Sequence, residues 1–217
     1  MKILPTNNVV PMINVFTVEP GKQHQVIEGW LKEGPRFFAV PGFVAAALHR
    51  SLDGTRVINY AQYQTAQDWF TVSPAAEQQQ LFAWAFAISQ PDPHLYEVVS
   101  QNTASGAKLV TLEETAEVAT MITVFPVEPE KQHQLIEQWQ ESGRPLEALP
   151  GFISSTLHRS LDGKRVLHYV QWQKAKDWLA VSRQADPLFE QVRAISQADS
   201  HLYEVVHVTR REIPSAG

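Results

Sequence analysis

The chain has 217 residues, 44% hydrophobic and 19% charged, with a net charge of −5 and no cysteine. This is the composition of a soluble globular protein; it excludes disulfides, thiolate metal sites and a cysteine nucleophile, and without a Lys/Arg cluster it excludes nucleic acid as a partner. No apolar run reaches the roughly 18 to 20 residues of a membrane span, and Pro5, Thr6, Asn7 and Asn8 break the stretch that a signal peptide needs, so a cytoplasmic protein is expected.

Met12–Val18 (MINVFTV) alternates and is rich in β-branched residues, and Glu19-Pro20-Gly21 closes it, which predicts a strand and a turn into a helix. From Lys22 to about Phe38, Val26, Ile27, Trp30 and Leu31 recur at helical spacing, and Pro41-Gly42 is the stop. A second strand, Phe43–Arg50, runs into Ser51-Leu52-Asp53-Gly54, whose Asp-Gly pair supplies the positive φ of a tight hairpin. The third strand, Arg56–Gln64, sets Val57, Asn59, Ala61 and Tyr63 on one face and Ile58, Tyr60, Gln62 and Gln64 on the other. Gln67–Val72 and Ala75–Ile88 read as helical, and His94–Ser100 as a fourth strand. The order β-α-β-β-α-β is that of a ferredoxin-like unit, an antiparallel sheet with helices on one face.

The same unit then recurs. Met121–Ser182 repeats Met12–Ser73 position for position, with more than half of the residues identical, and ISQADSHLYEVV later repeats ISQPDPHLYEVV. Residues 10–101 form the first unit and 119–209 the second. Between them, 102–118 reads as a linker of small and polar residues in which Lys108–Leu112 adds a short strand. Two copies of domain size indicate a fused pseudo-dimer rather than a solenoid. The fold expected is α+β: two tandem ferredoxin-like units whose bare sheet faces meet and close into an intramolecular dimeric α+β barrel, helices outside. A homodimer of fused chains is left open.

Eight histidines are present, yet no HxH, HExxH or 2-His-1-carboxylate spacing falls within an element. Gly-rich phosphate loops and a GxSxG elbow are absent as well. His24 and His133 fall on the polar face of the first helix, where solvent exposure is expected. His49 and His158, with Arg50 and Arg159, sit where they would fix the hairpin, and His94 and His201 where they would pair across the sheet. Tyr60/Tyr169, Gln62/Gln171 and Gln64/Gln173 are identical in both copies and point away from the helices, which predicts a hydrogen-bonded layer between the sheets.

VFxVEPxKQxQ at the first helix, and PGFxxxxLHRSxDGxRVxxYxQ(Y/W)Q across the central hairpin, resemble the antibiotic biosynthesis monooxygenase superfamily over nearly all of both units. The resemblance implies a dimeric α+β barrel built here from two fused copies. It also implies one of several activities, since the family includes oxygenases that convert anthrone-type polyketide intermediates to quinones without metal or flavin, relatives that bind or degrade haem, and members with no known activity. Those oxygenases carry an Asn and, four residues on, a Trp on the third strand. Here the first unit has Asn59 and Tyr63 at these places and the second has His168 and Trp172, so neither copy keeps the pair and the two pockets differ chemically.

Two functions follow as expectations. One is a cofactor-independent oxygenase with a small hydrophobic aromatic or polyketide-type substrate and molecular oxygen, needing no metal or other cofactor. His168 would be its base, Asn59 would hold a carbonyl or phenolate, and Tyr63 and Trp172 would stack the ligand, with Trp30, Trp69, Trp139 and Trp178 as apolar wall or simply as core. The other is a non-catalytic binder of a small molecule or haem. Haem degradation fits less well, because the family's haem-degrading branch has an axial His on the later helix and 67–88 contains none.

Overall fold

A computed structural model describes residues 1–4, 9–71, 83–104, 110–114, 118–141, 146–182 and 195–211. The first unit supplies strands β2 (Val10–Val18), β3 (Phe43–Ser51), β4 (Arg56–Tyr63) and β5 (Ser89–Thr103), with helices α1 (Gln23–Phe38) and α2 (Ala66–Thr71). The second supplies β7 (Ala119–Pro126), β8 (Phe152–Ser160), β9 (Arg165–Trp172) and β10 (Asp199–Arg210), with helices α3 (Gln132–Glu141) and α4 (Ala175–Ser182). Two short strands, β1 (Lys2–Ile3) and β6 (Val110–Thr111), pair with each other, so the strand expected within 108–112 forms as the partner of the N-terminal residues. Of the helix expected over 75–88, only 83–88 is described, and is helical; residues 72–82 lie outside the described residues.

The eight long strands close a barrel in the order β10-β3-β4-β2-β5-β8-β9-β7, so the expected intramolecular dimeric barrel is what the chain forms. Closure is made by the last strand of each unit. Ser89–Leu95 of β5 pair with β2 of their own unit, and Tyr96–Thr103 pair with β8 of the other, across a bulge between Val98 and Ser100. β10 does the same between β7 and β3, with its bulge between Val205 and His207. These strands are therefore longer than the expected His94–Ser100. Pro91 and Pro93 interrupt the local strand pattern, and the partner that orders 101–103 belongs to the other unit.

Alternation then sorts side chains into two compartments. On β2, Ile13 and Val15 enter the barrel while Met12, Phe16 and Val18 face α1. Val26 and Trp30, one helical turn apart, bury the inner stripe of α1; Leu31, expected on that stripe, is turned outward and 43% exposed. Gly42, at φ 81°, lies so close to the Asp68 carboxylate that a Cβ would come within 2.1 Å of it. Asp68 and Thr65 in turn cap α2 reciprocally: Thr65 N–H donates to Asp68 Oδ2 (2.8 Å) and Asp68 N–H to Thr65 Oγ1 (3.2 Å).

Inside the barrel Tyr60 and Tyr169 form the hydrogen-bonded layer, each with a histidine of the other unit: Tyr60 Oη with His158 Nε2 and Tyr169 Oη with His49 Nε2, both at 2.9 Å. Gln62 holds Lys2 O (2.9 Å) and Leu4 N (3.0 Å), and Gln171 donates to Thr111 O (3.0 Å), so these glutamines fasten β1 and β6 into the barrel mouth. Gln64 and Gln173, expected in the same layer, are exposed, because β4 and β9 end one residue earlier. The rim carries two matching ionic clusters across the unit boundary. His94 contacts Asp162 (2.8 Å) and its own strand's Asp92 (2.9 Å), which also binds Arg165 (3.0 Å); His201 lies likewise between Asp53 and Asp199, with Arg56 on Asp199. Burial opposes the charge on His94 but the Asp92 and Asp162 carboxylates outweigh it; Asp199, and then Asp53, raise His201 against the same opposition.

Candidate active site

Between the first sheet and its helices lies a recess lined by Met12, Asn14, Phe16, Trp30, Phe43, Ala46, Asn59, Ala61, Tyr63 and Trp69. Four residues expected at the site, Asn59, Tyr63, Trp30 and Trp69, therefore meet in one place. β4 presents Asn59 and Tyr63 on one face, α1 covers them with Trp30, and α2 closes the side with Trp69, whose ring is tilted 5.7 Å from that of Tyr63. Phe43 packs edge-on to Tyr63 at 5.8 Å. The free space is about 20 Å³, room for one water-sized group.

The polar lining includes two carboxamides side by side. Asn14 and Asn59 are direct partners in the β2–β4 register and so share a face. Asn14 is 4% exposed and its Oδ1 accepts the Asp92 backbone N–H at 3.0 Å. Asn59 Oδ1 is buried with no hydrogen-bond partner among the described residues. Such an atom is uncommon, because leaving a buried acceptor unpaired costs about 1 to 3 kcal/mol. Burial also pushes the Tyr63 phenol well above its usual range. Asn14 escaped the sequence reading, although an asparagine inside an apolar β-branched strand was a visible signal.

The second unit builds its counterpart differently. Thr123 and His168 are register partners in place of the two asparagines, Ser155 stands where the first unit has Ala46, and Trp172 replaces Tyr63. His168 is 6% exposed, makes no hydrogen bond among the described residues, and receives the edge of Trp139 at 4.6 Å. Burial lowers its pKa to about 3, with a smaller contribution from His158, so the imidazole is neutral at pH 7. Trp172 is fully buried between Phe152 (5.8 Å) and Trp178 (5.9 Å). Trp139 and Trp178 belong to two separate apolar clusters, with Thr123, Ser155 and His168 between them, whereas the first unit has one continuous cluster. His168/Trp139 and Trp172/Trp178 are thus two contacts rather than one chamber among the described residues.

A surface groove of about 680 Å³ lies elsewhere, at the seam near Leu52, Ile153 and Lys174. It contains none of the expected site residues, and its carboxylate, Glu204, is already paired with Arg50. The recess therefore remains the candidate site. No helix among the described residues is long and apolar enough to cross a membrane.

The family model for antibiotic biosynthesis monooxygenases matches residues 10–84 and 118–187, one match in each unit. Tetracenomycin-F1 monooxygenase of Streptomyces glaucescens is 32% identical over 102 residues, which is 46% of this chain and 91% of that one. Among solved structures, an anthrone oxidase-like protein superposes with a TM-score of 0.83 at 22% identity, covering all of both chains. A protein of Fusobacterium nucleatum subsp. nucleatum reaches a TM-score of 0.61 at 11% identity, over 94% of this chain and 95% of that one. These two structures share the fold.

Proposed function

Because the chain belongs to the antibiotic biosynthesis monooxygenase family, we propose that it is a cofactor-independent monooxygenase acting on an aromatic, polyketide-type small molecule. One observation carries this reading: an aromatic-walled recess in which a buried amide oxygen, Asn59 Oδ1, has no partner among the described residues. A ligand hydroxyl that donates to Asn59 Oδ1 supplies the missing hydrogen bond, and the same carboxamide can donate from Nδ2 to a neighbouring ligand oxygen. The name of the tetracenomycin-F1 relative supports an antibiotic-type substrate.

The chemistry needs only the substrate's own electrons. An enolisable ketone of the anthrone type loses a proton, to solvent in the first unit or to His168 in the second, and its anion passes one electron to O₂. The radical and superoxide combine at carbon to a peroxide anion, which takes a proton back, and the hydroperoxide loses water to leave a carbonyl. The balance is CH₂ + O₂ → C=O + H₂O, the methylene supplying the four electrons that reduce O₂. Asn59 stabilises the oxygen that turns negative, while Tyr63, Trp69 and Trp30 fix the ring plane and keep water out. In the second unit, His168, packed against Trp139, is the base, and the Trp172/Trp178 pair is a second aromatic surface apart from it. Burial keeps this imidazole a weak base. A polycyclic ligand is larger than the free space. The wall that yields is Trp69 on α2, a helix that buries none of its residues.

The narrowness of the recess favours one alternative, a protein that binds its ligand without turning it over. Product balance separates the two. With dithranol as substrate, the metal-stripped protein should consume one O₂ per quinone formed and release no hydrogen peroxide. Binding of dithranol without quinone formation above the uncatalysed rate would assign the protein to the alternative.

A further inference from the structure

We infer that the groove at the seam between the two units is a second ligand site, which takes a polycyclic aromatic carboxylate, its rings on the apolar lining and its acid group on Lys174. The aromatic class rests on the proposed function; the groove and its charge stand without it. The groove has a volume of about 680 Å³, within the range of about 300 to 1,000 Å³ usual for small-molecule sites. Its lining comes from both units. Leu52, at the tip of the β3–β4 hairpin, belongs to the first, and Ile153, Ala119 and Ala175 belong to the second. Leu52 is 56% exposed, a large apolar side chain left beside this groove in solvent. Ala119 and Ala175 pack in one apolar cluster with Trp172 and Trp178, so the groove lies against the cluster that holds this aromatic pair.

The charge of the groove selects an anion. Glu204 is already paired with Arg50, whereas Lys174, directly before α4, is exposed and forms no ion pair among the described residues. An acid bound there meets an uncompensated ammonium. The repeat shows that these features are particular to one side of the molecule. Where the second unit has Lys174 and Ala119, the first has Thr65 and Val10, which supply no cation and a larger side chain in the lining. The two contributions differ in kind. Apolar area removed from water supplies the affinity, and Lys174 supplies the preference for an acid, about fivefold for an ion pair that stays in contact with solvent.

The test uses 4,5-dihydroxyanthraquinone-2-carboxylate, an acid with no methylene to oxidise, and its neutral 2-hydroxymethyl analogue. Each is titrated into full-length protein at low salt, with tryptophan fluorescence as the readout. Lys174→Thr, the residue of the first unit, should weaken the carboxylate about fivefold and leave the neutral analogue unchanged, whereas Lys174→Arg should keep wild-type affinity for both. The wild-type preference should fade at about 0.5 M NaCl. Leu52→Glu sets a second carboxylate on the groove; it should weaken the acid more than the analogue and leave the thermal midpoint close to wild type, because the Leu52 side chain is largely in solvent. A carboxylate affinity that Lys174→Thr and Leu52→Glu leave unchanged, or wild-type protein that binds neither dye, overturns the assignment. Decanoate binding as tightly as the aromatic acid overturns the aromatic class. Wild-type protein that takes up oxygen with dithranol but binds the acid independently of Lys174 would lose the groove and keep the oxygenase; Lys174-dependent binding without oxygen uptake would do the opposite.

Discussion

Lowering the pH from 6.5 to 5 should destabilise the protein steeply, with acid unfolding complete above pH 4. Three buried histidines set this. Burial lowers His49 and His158 to about 4 and His168 to about 3, against an ordinary value of 6.5. Their folded pKa values lie below the unfolded ones, so the stabilisation is present above pH 6.5 and is lost as pH falls toward the folded values. Near pH 5 the unfolded chain binds up to three more protons, a slope of about 4 kcal/mol per pH unit against a total stability of about 5 to 15 kcal/mol. His94 and His201 have raised values and act oppositely. Their clusters hold the units together below pH 6.5, and that contribution is lost as pH rises through the raised values. Stability should therefore peak near pH 6.5. Urea midpoints at pH 5, 6.5 and 9 check this, and a midpoint at pH 5 equal to that at pH 6.5 would refute it. His168→Leu removes an imidazole that makes no hydrogen bond among the described residues, and should flatten the acid limb by about one proton.

Replacing Asn59 and His168 one at a time should give unequal losses. Asn59→Ala removes a group aimed at the developing charge and should lower kcat about a hundredfold. It should not lower the thermal midpoint, because Asn59 Oδ1 has no bond to lose among the described residues. His168→Ala should cost less than about tenfold, because burial leaves a weak base covered by Trp139. Steady-state kinetics on the two variants decide it: equal losses would mean that both units work alike and that their chemical divergence is idle.

The barrel was legible because the repeat fixed the unit and the Asp-Gly hairpins fixed the register, from which the opposite facing of Asn59 and Tyr60 followed. What sequence could not show depends on partners far along the chain. The Tyr60–His158 and Tyr169–His49 bonds cross between units and exist only once the barrel closes. The length of β5 is set half by β2 and half by β8, so a local pattern broken by Pro91 and Pro93 undershoots it. Asn14 became part of the site only through its register with Asn59. His168, with an ordinary pKa near neutrality, reads from sequence as a base; burial, which no local pattern reports, lowers it.

The most direct measurement is the initial rate of oxygen uptake by protein dialysed against chelator, with dithranol as substrate and boiled protein as the control. Uptake well above the boiled control, undiminished by chelator and reduced about a hundredfold in Asn59→Ala, is the result expected of a cofactor-independent oxygenase built on the first unit. Uptake equal to the boiled control, or uptake that collapses on metal removal and returns when metal is restored, would contradict it.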